Sequence, residues 1–353
     1  MRRHSFPNSM KTQSIEYPKK KNKKLIKVNQ YVFVKKIGLG ASSKVYLCYD
    51  TTKQQFFAGK RIRLNEICRI GTRVQQVERE IKMLRKLEHN NIISMVEALY
   101  SKENSLACII QDWADCGSLD SVLKTGRHFT EGQLATIFSQ VVNGLLYLHS
   151  TGNAHRDIKP SNVLLLSNGT VKIGDLGIGH SFQSADAVVG SPAYQAPEMF
   201  GYSDDEDYEE EESCLDPIKE DVWSLGVTLF ESIFGRIPFS GTNAYEVAKS
   251  ARENQLTFDF SISEDLSDLL KGMLNLNPER RLSMDEVSRH SFFGKAVPKA
   301  ELALPKPSYP IISAESEMQN IVADVCDEEY SFMQSDIIPS FTLTLPQRAL
   351  SRS

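Results

Sequence analysis

The chain has 353 residues, 41% hydrophobic and 24% charged, the composition of a soluble globular protein with room for one large or two ordinary domains. The net charge of −4 selects no partner class, and no apolar run approaches the roughly 18 residues a membrane helix needs. The six cysteines (48, 68, 108, 116, 214 and 326) contain no C-x-x-C pair, which argues against a zinc site and for reduced intracellular thiols. The basic N-terminus lacks an apolar core behind its charges, so it is not a signal peptide. The expected location is cytoplasmic, with the nucleus left open.

Residues 1–28 hold nine Lys or Arg against one acid, Glu16, and the segment 1–30 is expected to be a basic, disordered tail. Order is expected from Tyr31. YVFVKKI and KVYLCYD read as strands joined through GLGASS, a Gly/Ser turn, and FFAGKRI as a third strand. A helix follows with Val77, Ile81, Leu84 and Leu87 near one face, then the apolar strand SLACIIQDW. Beyond about residue 118 the pattern turns helical. Thr130 and Gln133 form a T-x-x-Q capping box ahead of a long helix whose apolar face runs from Leu134 to Leu146.

NVLLL and VKIGD read as short strands around a turn at Ser167-Asn168-Gly169, and DVWSLGVTLFESIFG, EDLSDLLKGML and SMDEVSRH as helices. The run 204–212 carries eight acids in nine residues, within an insert placed at 203–213. Residues 294–353 read as a largely disordered tail with one short docking segment, FTLTL. The body thus divides into a strand-rich part, 31–112, and a helical part, 113–293, meeting near Asp112–Ser118.

Several motifs suit phosphoryl transfer, which needs a held triphosphate, metal to neutralise its oxygens and an aligned hydroxyl. GLGASSKV, Gly38 to Val45, lets backbone N–H groups approach phosphates, but reads equally as a plain hairpin. Lys60 on a strand is costly to bury without a partner, for which Glu80 is placed; alone it could snorkel to the surface. Asp175 in DLG could hold a metal or simply form a turn. In HRDIKPSN, Asp157 can accept a hydroxyl proton, Lys159 can sit by the moving group and Asn162 can hold a metal. APE (Ala196 to Glu198), DVWSLG and NPERRL are bland singly.

All of these in one chain, in this order, resemble the eukaryotic protein kinase family over roughly Tyr31 to Phe293. The resemblance implies an α+β, bilobal protein kinase fold: a small antiparallel β-sheet lobe with one main helix, and a larger, mostly helical lobe. It implies serine/threonine specificity, ATP and Mg²⁺ as cofactors, and protein substrates. Asp157, Lys159, Lys60 and Glu80 would be the catalytic set. Gly38, Leu39, Gly40, Ala41, Val45, Lys60, Asp112 and Trp113 would bind the nucleotide, after a gatekeeper Gln111. Asn162 and Asp175 would hold metal, and Arg281 would pair with Glu198. The rival class is a pseudokinase or scaffold with this fold; the intact set Lys60, Glu80, Asp157, Asn162 and Asp175 argues against it.

Three departures narrow the resemblance. Ala187 stands where loop-activated kinases carry a phosphoacceptor, although Arg156, which would grip that phosphate, is present and Asp186 could act as a built-in anion. Ser118 and Ser161 replace acids that select upstream arginine, so only weak preference for basic substrates is expected. Third, GSPAYQAPE, LSDLLKGML and RHSFF resemble the kinase-activating branch of the calcium/calmodulin-dependent group, the calmodulin-dependent kinase kinases and the liver-kinase-B-type family. That branch implies activation loops of other kinases as substrates and an activating protein partner. A monomer without nucleic-acid binding is expected.

Overall fold

The computed structural model describes residues 10–13, 26–39, 43–63, 81–82, 84–101, 106–176, 192–200, 216–302, 304 and 340–343. Gly40, Ala41, Glu80, Asp186, Ala187 and the acidic insert lie outside them. The chain forms two compact units, one of residues 1–85, 94–113 and 309–353, the other of 86–93 and 114–308.

The first unit is built on an eight-stranded sheet in the order β1-β10-β6-β7-β5-β4-β3-β2, antiparallel at every pairing. Its strands are β1 (Met10–Gln13), β2 (Ile26–Val28), β3 (Tyr31–Leu39), β4 (Ser43–Asp50), β5 (Gln55–Arg63), β6 (Met95–Ser101), β7 (Leu106–Asp112) and β10 (Ser340–Leu343). Residues two apart on a strand share a face, and the core uses this: Tyr31 and Phe33, Tyr46 and Cys48, and Cys108 and Ile110 pack with Phe57 and Leu99. Tyr31 meets Phe57 edge-on at 6.1 Å. Ile81, Leu84 and Leu87, expected on one helical face, are all buried.

Three strands were not expected from the sequence. β6 pairs with β7, and β1 and β2 lie within the segment expected to be a disordered tail. β10 overlaps the FTLTL segment and lies between β1 and β6, pairing with β6 through Phe341–Tyr100 and Thr342–Leu99.

In the second unit the long helix α2 (Glu131–Ser150) follows a short α1 (Leu119–Leu123). The Thr130–Gln133 capping box is formed in both directions, satisfying two amide donors at the start of α2. The hairpin of β8 (Val163–Leu165) and β9 (Val171–Ile173) lies against α2. Asn91 Nδ2 donates to the Val171 carbonyl at 2.8 Å, and the Gln140 amide oxygen accepts from Val171 N–H at 3.1 Å. Gly144 allows the approach, because a Cβ there would lie 2.7 Å from the Asn91 carbonyl oxygen.

α3 (Pro217–Phe234) starts on an Asp216 cap with proline in its first turn and ends on Gly235 at φ 68°. Then come α4 (Ala244–Glu253), α5 (Glu264–Met273) and α6 (Met284–Ser288). The unit continues past Phe293, where the tail was expected to begin. Thr136 Oγ1 bonds the backbone of Val297, Gln133 and Arg127 donate to the carbonyls of Glu301 and Leu302, and Leu302 is fully buried. The boundary between the parts falls after Trp113, one residue beyond the expected position.

Candidate active site

HRDIKPSN follows α2 and is held mainly by one carboxylate. Asp221, fully buried in the first turns of α3, accepts the backbone N–H of His155 at 2.8 Å and of Arg156 at 2.7 Å. His149 Nε2 closes on the same carboxylate at 2.8 Å. Arg156 sits at φ 60°, a conformation that costs a side-chain-bearing residue free energy and is held by these bonds. His155 is locked in one tautomer: its Nδ1 accepts from Asp157 N–H at 3.2 Å, so its Nε2–H donates to the Gly174 carbonyl at 2.9 Å.

On this frame Asp157 is buried, with Lys159 Nζ at 2.7 Å from its Oδ2. Asn162, in the 3₁₀ turn Pro160–Asn162, donates through Nδ2 to the Asp157 carbonyl at 2.7 Å and to Oδ2 at 2.9 Å. Charge-assisted bonds of this kind keep a buried carboxylate aimed. The Asn162 carbonyl in turn accepts Gly174 N–H at 2.9 Å, which ties the residue before Asp175 to the same turn. Asp175 is exposed and left-handed at φ 58°. So the structure brings Asp157, Lys159 and Asn162 into direct contact and fixes Asp175 one residue from a backbone bond to Asn162.

The remaining expected residues lie in the first unit. Lys60 on β5 is buried and is the register partner of Val45 on β4 and Ile109 on β7, so the three share a face. A buried ammonium needs a counter-charge; the expected one, Glu80, lies outside the described residues. Gly38 also pairs with Val45, beside a register shift in β3 that bends the strand. Leu39, at the end of β3, is 71% exposed. Asp112 closes β7 opposite Phe57, and Trp113 meets Phe56 at 5.5 Å.

Sequence reasoning passed over Asp221 as part of a bland helix, and over Tyr194 and Glu231. Tyr194 Oη donates to Glu231 Oε2 at 2.5 Å, and burial, then this carboxylate, push the phenol well above its ordinary range. Arg281, fully buried, pairs with both oxygens of Glu198 at 2.7 and 2.8 Å and lies 5.0 Å above the Trp223 ring. Ser118 caps α1 through a Ser121 box, a structural role for its hydroxyl. A groove of about 620 Å³ lined by Phe258, Phe260 and Lys271 contains none of the expected catalytic, nucleotide-binding or metal-binding residues.

A sheet unit carrying a buried strand lysine, and a helical unit carrying an aspartate–lysine–asparagine cluster pinned to a helix, define a phosphotransferase of the protein kinase type. Residues 31–293 match the protein kinase domain family, and the chain belongs to it. Serine/threonine-protein kinase STK11 of Rattus norvegicus is 33% identical over 96% of this chain and 79% of its own length. The Homo sapiens STK11 is 34% identical over 95% and 78%, and CBL-interacting protein kinase 26 of Oryza sativa subsp. japonica 31% over 78% and 54%. The protein is a serine/threonine-protein kinase, an enzyme that transfers the γ-phosphoryl group of ATP to protein hydroxyls. The scaffold alternative has no support.

Proposed function

We propose that Asp157 is the catalytic base of this kinase, and the contact of its buried carboxylate with Lys159 and Asn162 carries the assignment. Its carboxylate takes the proton of the acceptor Ser or Thr hydroxyl as that oxygen attacks. Lys159 offsets charge on the transferred group. The Asn162 amide spends its N–H on Asp157, which leaves the amide oxygen as ligand atom. With the Asp175 carboxylate it makes a pair of hard oxygen donors, the chemistry that suits Mg²⁺. Metal bound there would neutralise phosphate oxygens.

Lys60, paired with Glu80, would anchor the α- and β-phosphates. Gly38, Leu39, Gly40, Ala41 and Val45 would cover the nucleotide, and Asp112 and Trp113 would receive its adenine. The substrates we infer are activation loops of other kinases, with little selection for basic residues because Ser118 and Ser161 carry no charge. The enzyme acts as a cytoplasmic monomer that takes an activating protein partner. The test is phosphate transfer from labelled ATP to a Ser/Thr peptide library that includes activation-loop peptides. Asp157→Asn is expected to lower turnover by about a hundred- to ten-thousand-fold, and Asp175→Ala to abolish it. Wild-type turnover retained in Asp157→Asn refutes the base assignment, and a profile dominated by upstream arginine refutes the substrate reading.

A further inference from the structure

The connection from α4 to α5 contains the run TFDFSIS, Thr257 to Ser263, in which apolar and polar residues alternate. In extended backbone such alternate residues share one side, and Phe258, Phe260 and Ile262 all line the groove of about 620 Å³. That side is anchored on α3. Phe234 stacks on Phe258 at 5.8 Å and meets Phe260 at 4.9 Å, and the fully buried Phe230 lies 4.4 Å from Phe234. Asp259, between the two phenylalanines, accepts from Arg236 Nε at 2.7 Å and Nη2 at 2.6 Å, a forked pair that fixes the segment. Phe260 is nevertheless 55% exposed. A ring held in place and left in water is apolar surface that a partner buries at little ordering cost.

The opposite wall is α5, where Glu264, Asp268 and Lys271 stand at i, i+4 and i+7 on one face and line the same groove. Asp265 is committed elsewhere, to Lys295 at 3.1 Å and to the Ser291 hydroxyl at 2.5 Å. Glu264 is exposed and has no ion pair or side-chain hydrogen bond among the described residues. Asp268 is 83% exposed in its side chain and lies 3.2 Å from His290. Lys271 Nζ sits 6.0 Å over the Phe258 ring, about 10 Å along the helix from Glu264. The groove is thus an aromatic trough with two solvated carboxylates on one wall. It matches a bulky apolar side chain followed by a Lys or Arg.

We propose that this groove docks protein substrates through a short segment, remote from the phosphoacceptor, that carries a bulky apolar residue beside Lys or Arg. Charge complementarity sets the basic side of the segment. The choice of a substrate as occupant follows from the catalytic mouth, where Ser118 and Ser161 carry no charge to read a sequence. A mouth that selects little leaves selection to contacts outside it, and this groove shares no residue with the catalytic set. The occupant's identity rests on the substrate reading above; the existence of the site does not.

The test uses the full chain. A displayed library of random peptides is selected on wild type and counter-selected on Phe260→Asp. The winners are expected to converge on a bulky apolar residue flanked by Lys or Arg. A labelled winner should bind Phe260→Ala at least about tenfold more weakly, with most of the loss recovered in Phe260→Leu. It should bind Glu264→Lys/Asp268→Lys about tenfold more weakly, a loss that shrinks at high salt. All these variants should phosphorylate a short Ser/Thr peptide as wild type does. Excess winner should raise KM for an intact, inactivated kinase whose activation loop is among the preferred library peptides, and leave KM for the short peptide unchanged. A library that yields nothing able to tell wild type from Phe260→Asp overturns the docking site, and so do acidic winners. A winner that binds but does not move KM for the intact kinase overturns the substrate as occupant in favour of a regulatory protein. Asp157→Asn, run alongside, should bind the winner as wild type does and turn over neither substrate. Activity retained there sinks the base assignment and leaves the groove standing. Thermal unfolding of each variant shows that lost binding is not lost fold.

Discussion

Replacing Arg281 should unfold the helical unit at a markedly lower temperature. The side chain donates to both Glu198 oxygens at 2.7 and 2.8 Å, to the Asn275 carbonyl at 3.0 Å and to the Lys219 carbonyl at 2.9 Å. Its side chain is 0% exposed and that of Glu198 10%. Arg281→Ala strips four hydrogen bonds and leaves a nearly buried carboxylate with no cation. Breaking one side of such a pair costs about 3–5 kcal/mol. At about 2–4 °C per kcal/mol for a unit of this size, the melting temperature should fall by about 6–20 °C. Arg281→Lys should recover only part of the loss, because an ammonium cannot span both carboxylate oxygens and also reach two carbonyls. Differential scanning calorimetry is the assay. A drop of less than about 2 °C in Arg281→Ala would mean that the pair contributes no more than an exposed one, and the reasoning from burial would be wrong.

Asp221→Ala removes the acceptor of two backbone amides and of His149, and leaves Arg156 left-handed with nothing holding it. We expect kcat to fall at least a hundredfold and stability by about 3 kcal/mol or more; a folded variant with near wild-type kcat refutes the anchoring role. Glu220 gives a pH prediction with a definite sign. Its carboxyl rises from an ordinary 4.5 to about 7 in the fold, so its contribution to stability is full below about 4.5 and is lost as pH climbs through 7. Glu220→Gln, uncharged throughout, should therefore melt increasingly above wild type as pH rises from about 5 to 7.5, and a melting difference that stays constant over that range contradicts the buried carboxylate.

The parts of this protein that were legible in its sequence are those where residue type and short-range spacing carry the chemistry. Asp157, Lys159 and Asn162 lie within five residues of one another, and their contact follows from one turn. The start of α2 was legible because Thr130 and Gln133 bond each other's backbone. β6 escaped because Glu97 interrupts the apolar run of MVEALYS. α4 escaped because its buried positions, Val247, Ala248 and Ala251, are mostly small and sit among charges. Residues 296–302 look like tail because 3₁₀ turns carry no period; their bonds go to side chains of Arg127, Gln133 and Thr136, more than 150 positions away in sequence. Asp221 and Arg156, 65 residues apart, meet only in three dimensions. A lone acid near a helix start looks like a cap until the N–H groups that donate to it are seen.

α3 also works as a common datum. Asp221 near one end fixes the loop that carries the base, and Glu231, ten residues on, fixes Tyr194. Ten residues of helix span about 15 Å with little give. The offset between these two fixtures is therefore set by one rigid gauge and not by a chain of side-chain contacts, in which small errors would add. A shift of α3 carries both with it and keeps their spacing. Outer loops can then drift over evolutionary time without spoiling the alignment, provided the gauge is left alone.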